Sequence, residues 1–193
     1  MHANTLQSFQ ENCDCMRIII TGAPATGKSL IARKLAEKLK LELIDIKEIV
    51  KQKHLSKGAE HEVDIKKLKA ALGSLKRKDD YIIEGHLACE MRLPADFIFV
   101  LRTHPDVLRK RMKKRKYPKK KLEENLMAEM LDYCTQRTEK EYRKKPLELD
   151  TSAVTAEQAA RKMAAAIKQK KKKLDSVNYS KELKAYLRLG GKS

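Results

Sequence analysis

An α/β fold, a five-stranded parallel sheet flanked by helices, is predicted by three features of this 193-residue chain. Five short apolar runs alternate with stretches of helical periodicity, the pattern of repeated βα units. Residues 22–29, GAPATGKS, match G-x-x-x-x-G-K-[ST] between the first run and the first helix, the order that a phosphate-binding loop requires. The polar residues that close the runs, namely the loop itself, Asp45, Glu84 to His86, Arg102 and residues 150–152, all fall at carboxyl ends of strands, where doubly wound sheets bind ligands.

Each element has its own signal. Residues 17–21 (RIIIT) form a β-branched strand, and Leu30, Ile31, Leu35 and Leu39 recur at helical spacing after the loop. Residues 41–45 read as the second strand, followed by a helix from Ile46 to about Lys53 and a polar loop over 56–62. Asp64 caps a helix that carries Ile65, Leu68, Ala71, Leu72 and Leu75 on one face. Residues 81–84 (YIIE) are the third strand, ending at Gly85, and the continuous apolar centre of 95–102 marks a fourth strand buried on both faces. Thr103 and Pro105 start a helix through Val107, Leu108 and Met112. Tyr117-Pro118 ends it, and one helix is expected from Lys119 to about Tyr142. Residues 146–150 are the fifth strand, and Thr155 with Gln158 forms a capping box for a helix over Ala156, Ala159, Ala160, Met163, Ala164 and Ile167. A separate short segment, 179–189, carries Leu183, Tyr186, Leu187 and Leu189.

Composition narrows the classes. The length favours one domain, and the apolar runs fall far short of a membrane span, so no membrane association is expected. Residues 1–16 read as a flexible extension without the features of a secretory signal, and the four cysteines at 13, 15, 89 and 134 complete no zinc pattern. A reducing cytoplasmic location follows. The net charge of +18 is concentrated in two blocks: ten of the thirteen residues from 109 to 121 are Lys or Arg, and residues 161–193 hold eleven basic and two acidic side chains. An anionic partner is the expectation.

The candidate site follows from the loop. Gly22 and Gly27 let the backbone curl its N–H groups around a phosphate at a helix N-terminus. Lys28 reaches the β/γ-phosphates and the Ser29 hydroxyl takes a place on Mg²⁺. Glu84, at the end of an apolar strand, is placed to hold a Mg²⁺-bound water, and His86 to orient water or an acceptor. Arg111 and Arg115 are one helical turn apart beside a helix break, the arrangement of a closing lid over phosphate oxygens. The same residues could instead be a chance glycine turn, a solvent-facing carboxylate, a structural histidine and a solvated basic face.

The combination GAPATGKS, IIEGHLA at 82–88, FVLRTHPDVLRKR at 99–111 and RKYPKKKLEENLMAE thereafter resembles the adenylate-kinase-like NTPases of small ribosomal subunit maturation over about residues 17–167. The Arg111/Arg115 pair and Asn125 with Glu129 belong to the same resemblance. It implies a P-loop NTPase fold of the nucleoside monophosphate kinase type, with an NMP-binding segment at about 46–76 and a short lid at about 109–121; residues 168–193, beyond the resemblance, read as a basic tail. It also implies ATP:AMP phosphotransfer, ATPase activity, and a small-subunit ribosomal protein and ribosomal RNA as partners. By position, Gly22, Ala23, Ala25, Thr26, Gly27, Lys28, Ser29 and Leu30 bind ATP together with Arg111 and Arg115. Glu84 and His86 form the acidic motif, with Ser29 and Glu84 on the metal.

Three positions depart from the pattern: Ala25 and Lys116 stand where glycine is usual, and Leu30 where a second hydroxyl is common. If position 25 needs a positive φ, alanine costs about 1 kcal/mol there. Alternatives remain open. One is an assembly ATPase on RNA or a ribosomal protein with little metabolic role, and another is a kinase of a different small acceptor such as shikimate or a nucleoside. A binding module with an inactive loop is disfavoured by the intact Lys28 and Ser29.

Overall fold

A computed structural model describes residues 16–57, 62–73, 79–188 and 190. Of the expected extension at 1–16, only Met16 is described; residues 1–15 with Cys13 and Cys15, together with Leu75 and Leu189, lie outside the described residues.

The sheet is parallel and five-stranded. Its strands are β1 (Arg17–Gly22), β2 (Glu42–Asp45), β5 (Tyr81–Glu84), β6 (Phe97–Arg102) and β7 (Leu147–Asp150), in the order β2-β5-β1-β6-β7. β1 is central, and Ile20 lies level with both Glu84 and Phe99. Parallel pairing puts every carboxyl end on one edge, and the crossovers place helices on both faces.

The period-2 alternation of the strands divides the core. Ile18, Ile20, Ile82, Phe99, Leu101 and Leu149 point to one face, under α1 (Lys28–Leu39) and α7 (Ala156–Lys168). Ile19, Tyr81, Ile83 and Ile98 point to the other. There they meet Ile46 of α2 (Ile46–Gln52), Leu68 of α3 (Ile65–Ala71), Ala88 of a 3₁₀ turn (His86–Glu90), and Tyr142 of α6 (Tyr133–Tyr142). Each fully buried isoleucine contributes about 1.5–3 kcal/mol. A third cluster joins Ala23 and Ala25 to Leu108 and Met112 of α4 (Pro105–Lys114), Leu122 and Leu126 of α5 (Lys119–Met130), and Tyr179.

Local signals formed as expected at several ends. The Asp64 carboxylate accepts from Lys67 N–H, and Thr155 and Gln158 make both bonds of the capping box. Elsewhere the structure differs. Residues 56–62 are not all loop: β3 (Ser56–Lys57) pairs antiparallel with β4 (Glu62–Val63). The cap of α4 is His104, whose Nδ1 accepts from Asp106 N–H, while Thr103 is buried and bonded to Thr151 at 2.7 Å. The single helix expected from 119 to 142 is two helices, because Asp132 takes φ 55 between α5 and α6.

The cause of that break is Arg102. Its guanidinium is almost fully buried, donates to Glu129 Oε1 (2.8 Å), Glu129 O (3.0 Å) and Glu148 Oε1 (2.5 Å), and binds the Asp132 carboxylate. Burial alone would lower the Arg102 pKa, but Glu129 and Asp132 more than offset it, and the net shift is upward. Arg102 sits at the carboxyl edge of the sheet, but its side chain fastens helices rather than facing a ligand.

Beyond α7, residues 174–188 do not trail away. They return to the domain and end in α8 (Ser180–Arg188), with Tyr179 buried. No helix among the described residues is long and apolar enough to cross a membrane.

Candidate nucleotide site

The loop from Gly22 to Ser29 joins β1 to α1. Gly22 has φ 137, and a Cβ there would lie 2.4 Å from Leu101 O, so only glycine fits beside β6. Gly27 caps α1 at φ 98. Ala25 takes φ 67, the left-handed conformation that glycine adopts without strain, and Lys116 takes φ 56. The two departures from glycine therefore fall where the backbone favours glycine.

Lys28 is buried at the start of α1, and its Nζ donates to Gly22 O (2.9 Å) and Ala23 O (2.8 Å), curling back over the loop. Burial lowers its pKa, while Cys134, Glu84 and Glu129 pull the other way. Thr26 Oγ1 donates to Ala23 O (2.9 Å), and Thr151 Oγ1 donates to Thr26 O (2.9 Å), tying the loop to the end of β7.

Glu84 is buried level with Asp45 on the adjoining strand β2. Its pKa is raised, chiefly by burial and further by Asp45, against the Ser29 hydroxyl and Lys28, which favour the carboxylate. Ser29, Glu84 and Asp45 thus form one oxygen-rich group beside Lys28. Asp45 is the member that the sequence reading placed on the edge but left out of the site. The signal that finds it is its register opposite Glu84.

His86 opens the 3₁₀ turn, and its carbonyl accepts from Thr21 Oγ1 (3.2 Å) and Cys89 Sγ (3.1 Å). The ring reaches solvent, yet its surroundings are dense with protein, and burial together with the Lys28 ammonium lowers its pKa to about 4. The direction, a neutral imidazole at pH 7, follows from the cation beside it even where the ring meets water.

An open cleft of about 530 Å³ lies beside the loop, lined by Ala25, Thr26, Gly27 and Leu30 on one side and by Arg111, Lys114, Arg115, Thr151, Val154 and Ala156 on the other. Arg111 is half-buried and donates from Nη2 to Thr151 O (2.7 Å), while Arg115 is exposed one turn on. Burial and the neighbouring Arg115 lower the Arg111 pKa. The structure so brings the predicted arginines to the phosphate loop. Lys114, Val154 and Ala156 joined them unannounced, since a surface lysine and two small apolar residues carry no chemical signature. Asn125 does not join them: its amide bonds Lys121 O within α5.

Residues 18–132 match the AAA domain family. Archaeal proteins named "Putative adenylate kinase" align over nearly their whole length. The one from Pyrococcus furiosus is 35% identical over 91% of this chain and 99% of its own, and the one from Methanocaldococcus jannaschii is 34% identical over 90% and 98%. The chain belongs to the adenylate-kinase-like family of P-loop NTPases. Among solved structures, a shikimate kinase from Acinetobacter baumannii in complex with shikimate superposes with a TM-score of 0.65 at 18% identity, covering 86% of this chain and 98% of that one. A gluconokinase from Sinorhizobium meliloti gives 0.56 at 15% identity, covering 80% and 92%. These two likenesses place the fold among P-loop kinases.

Proposed function

We propose that this protein is an ATP-dependent nucleoside monophosphate kinase that transfers the γ-phosphoryl group of ATP to AMP, giving two ADP, and that hydrolyses ATP at the same site. The observation that carries the reading is the open cleft between the phosphate loop and the Arg111/Arg115 pair, with Glu84 buried beside Lys28 at the foot of the same loop. AMP as acceptor is supported by the names of the archaeal relatives.

Phosphoryl transfer through a loose transition state needs positioning and charge neutralisation more than covalent help. Gly22, Ala23, Ala25, Thr26, Gly27 and Ser29 cradle the phosphates, and Lys28 exchanges its carbonyl partners for β/γ oxygens. Leu30, with Val154 and Ala156, offers the apolar surface that the nucleoside end of ATP needs, and Arg111 and Arg115 meet the phosphate oxygens. The neutral His86 imidazole can accept a hydrogen bond from water and orient it.

The Ser29 hydroxyl and the Glu84 and Asp45 carboxylates are hard oxygen donors that fit Mg²⁺, and a cation among them would offset the burial and the Asp45 charge that raise the Glu84 pKa. Bound there, Mg²⁺ would neutralise charge developing on the β/γ oxygens.

We place this activity in the cytoplasm, in small ribosomal subunit maturation, with a small-subunit ribosomal protein and ribosomal RNA as partners. The sequence resemblance and the net charge of +18 support that setting. The same features favour the second reading, an assembly ATPase whose turnover matters more than its ADP yield. A coupled assay of ADP formation with AMP, CMP, UMP, GMP and shikimate, with and without ribosomal RNA, tests both. AMP raising ADP formation above every other acceptor is the expected result. No acceptor dependence, with stimulation by RNA, would leave the ATPase and remove the kinase.

A further inference from the structure

Residues 174–188 stand outside the alternating α/β pattern, yet they are built into the sheet edge and into the helices beside the cleft. Asp175 N–H donates to Glu148 O (3.1 Å), and its carboxylate accepts from Asp150 N–H (3.0 Å) and pairs with Lys162 (2.5 Å). The segment thereby lines the outer strand β7 just before the Thr151 loop. Tyr179 is then buried in the cluster that contains Ala23 and Ala25 of the phosphate loop and Leu108 and Met112 of α4. Its ring meets His104 edge-on (5.8 Å between centroids), with the Arg102 guanidinium 5.3 Å from its centroid. In α8, Glu182 lies 3.6 Å from His104 Nε2, and Tyr186 donates to Glu123 Oε2 (2.6 Å) below the Arg109 guanidinium.

These contacts take hold of one side of α4. His104 caps that helix and Arg109 lies within it, and both meet the segment from the C-terminus. Arg111, two residues past Arg109 and so about 200° around the helix, faces the cleft and bonds Thr151. Rotation of α4 that freed Arg109 from Tyr186 would swing Arg111 and Arg115 away from the phosphate loop.

We infer that residues 174–188 form a strap in which Tyr179 is a positioning residue for the nucleotide site: it supports the loop at Ala25 and fixes the rotation of α4, and so the place of Arg111 and Arg115. The proposal rests on the functional reading above only for what the cleft binds. The Tyr179 hydroxyl is buried without a hydrogen-bond partner among the described residues, so the ring rather than the hydroxyl carries the role. The segment expected to be a basic tail apart from the domain is thus continuous with the site.

The test compares the full chain with Tyr179→Phe, Tyr179→Ala and a Glu182→Ala/Tyr186→Ala double variant, which leaves the buried ring in place should Tyr179→Ala not fold. Affinity is read with a fluorescent ATP analogue, kinetics with the KM values for ATP and AMP, and the hold on α4 with amide hydrogen exchange over residues 105–115. Tyr179→Phe should match wild type. The other two should weaken ATP about tenfold, the weight of one charge-assisted hydrogen bond, leave the KM for AMP unchanged and speed exchange in α4. Wild-type ATP affinity in a folded Tyr179→Ala chain, or in the double variant, overturns the proposal. If the wild-type chain binds no ATP analogue, the functional reading fails instead, and the exchange measurement alone decides the strap: faster exchange in the variants upholds its grip on α4, and unchanged exchange refutes it.

Discussion

Replacing Arg102 by Met should be among the most damaging single changes in this protein, although the Arg102 side chain does not line the cleft. The guanidinium is almost fully buried and faces Glu129, which is equally buried, while Glu148 and Asp132 are more open to water. Removing the cation leaves the Glu129 carboxylate without its main compensation, and breaking such a buried pair costs about 3–5 kcal/mol. Against a net stability of about 5–15 kcal/mol for a domain, that is a large share. The pH dependence has a definite sign. Burial already raises the Glu129 pKa and Arg102 opposes the rise, so in the variant the folded pKa climbs further. A carboxyl whose folded pKa is raised stabilises the fold below its unfolded value, about 4.3, and loses that contribution as pH rises through the folded value. Urea denaturation of Arg102→Met should therefore show its largest deficit near neutral pH and a narrowing gap as pH falls toward 4.3, and adding Glu129→Leu should recover part of the loss at pH 7. A deficit below about 1 kcal/mol, the range of exposed ion pairs, or one that widens with acid, would refute the reasoning.

Three further outcomes follow. Ala25→Gly relieves a φ of 67 that costs alanine about 1–2 kcal/mol, offset by about 0.5–1 kcal/mol of added chain entropy. Stability should hold or rise slightly, and a marked fall in urea midpoint would mean that the left-handed conformation is wrong. Gly22→Ala places a Cβ 2.4 Å from Leu101 O and should weaken both the β1–β6 pairing and ATP binding, with thermal unfolding and analogue titration as the readouts. His86 should titrate by NMR near 4 rather than 6.5, because Lys28 and burial keep it neutral, and His86→Ala should depress ATP hydrolysis more than AMP phosphorylation. A midpoint above 6, or equal losses in both activities, would remove its assigned part.

How much of this was legible in the sequence depended on whether the cause was local. Residues 17–21, 81–84 and 95–102 announced themselves as strands because burial on both faces of a parallel sheet demands continuous apolar runs; the structure bounds them at Arg17–Gly22, Tyr81–Glu84 and Phe97–Arg102, and their order in the sheet was not readable from the runs. At Ala25 the sequence marked the position, where glycine is usual, but left its φ open; the structure gives φ 67. The break at Asp132 was not readable. No glycine or proline marks it, and what holds it is an ion pair to Arg102, thirty positions away. The strap was equally hidden, because the short amphipathic run 179–189 has no meaning until Tyr179 finds Arg102 and His104. Asp45 needed the register of β2 against β5 to stand beside Glu84.

The most direct test of the central claim is ADP formation from ATP and AMP by the purified chain, measured beside Lys28→Ala. Lys28 is the buried cation that curls over the phosphate loop, and losing such an electrostatic contact costs on the order of 10² or more in rate. AMP-dependent ADP formation is expected from the wild-type chain, and its loss from a Lys28→Ala chain that remains folded. Near-normal turnover in the folded variant would contradict it.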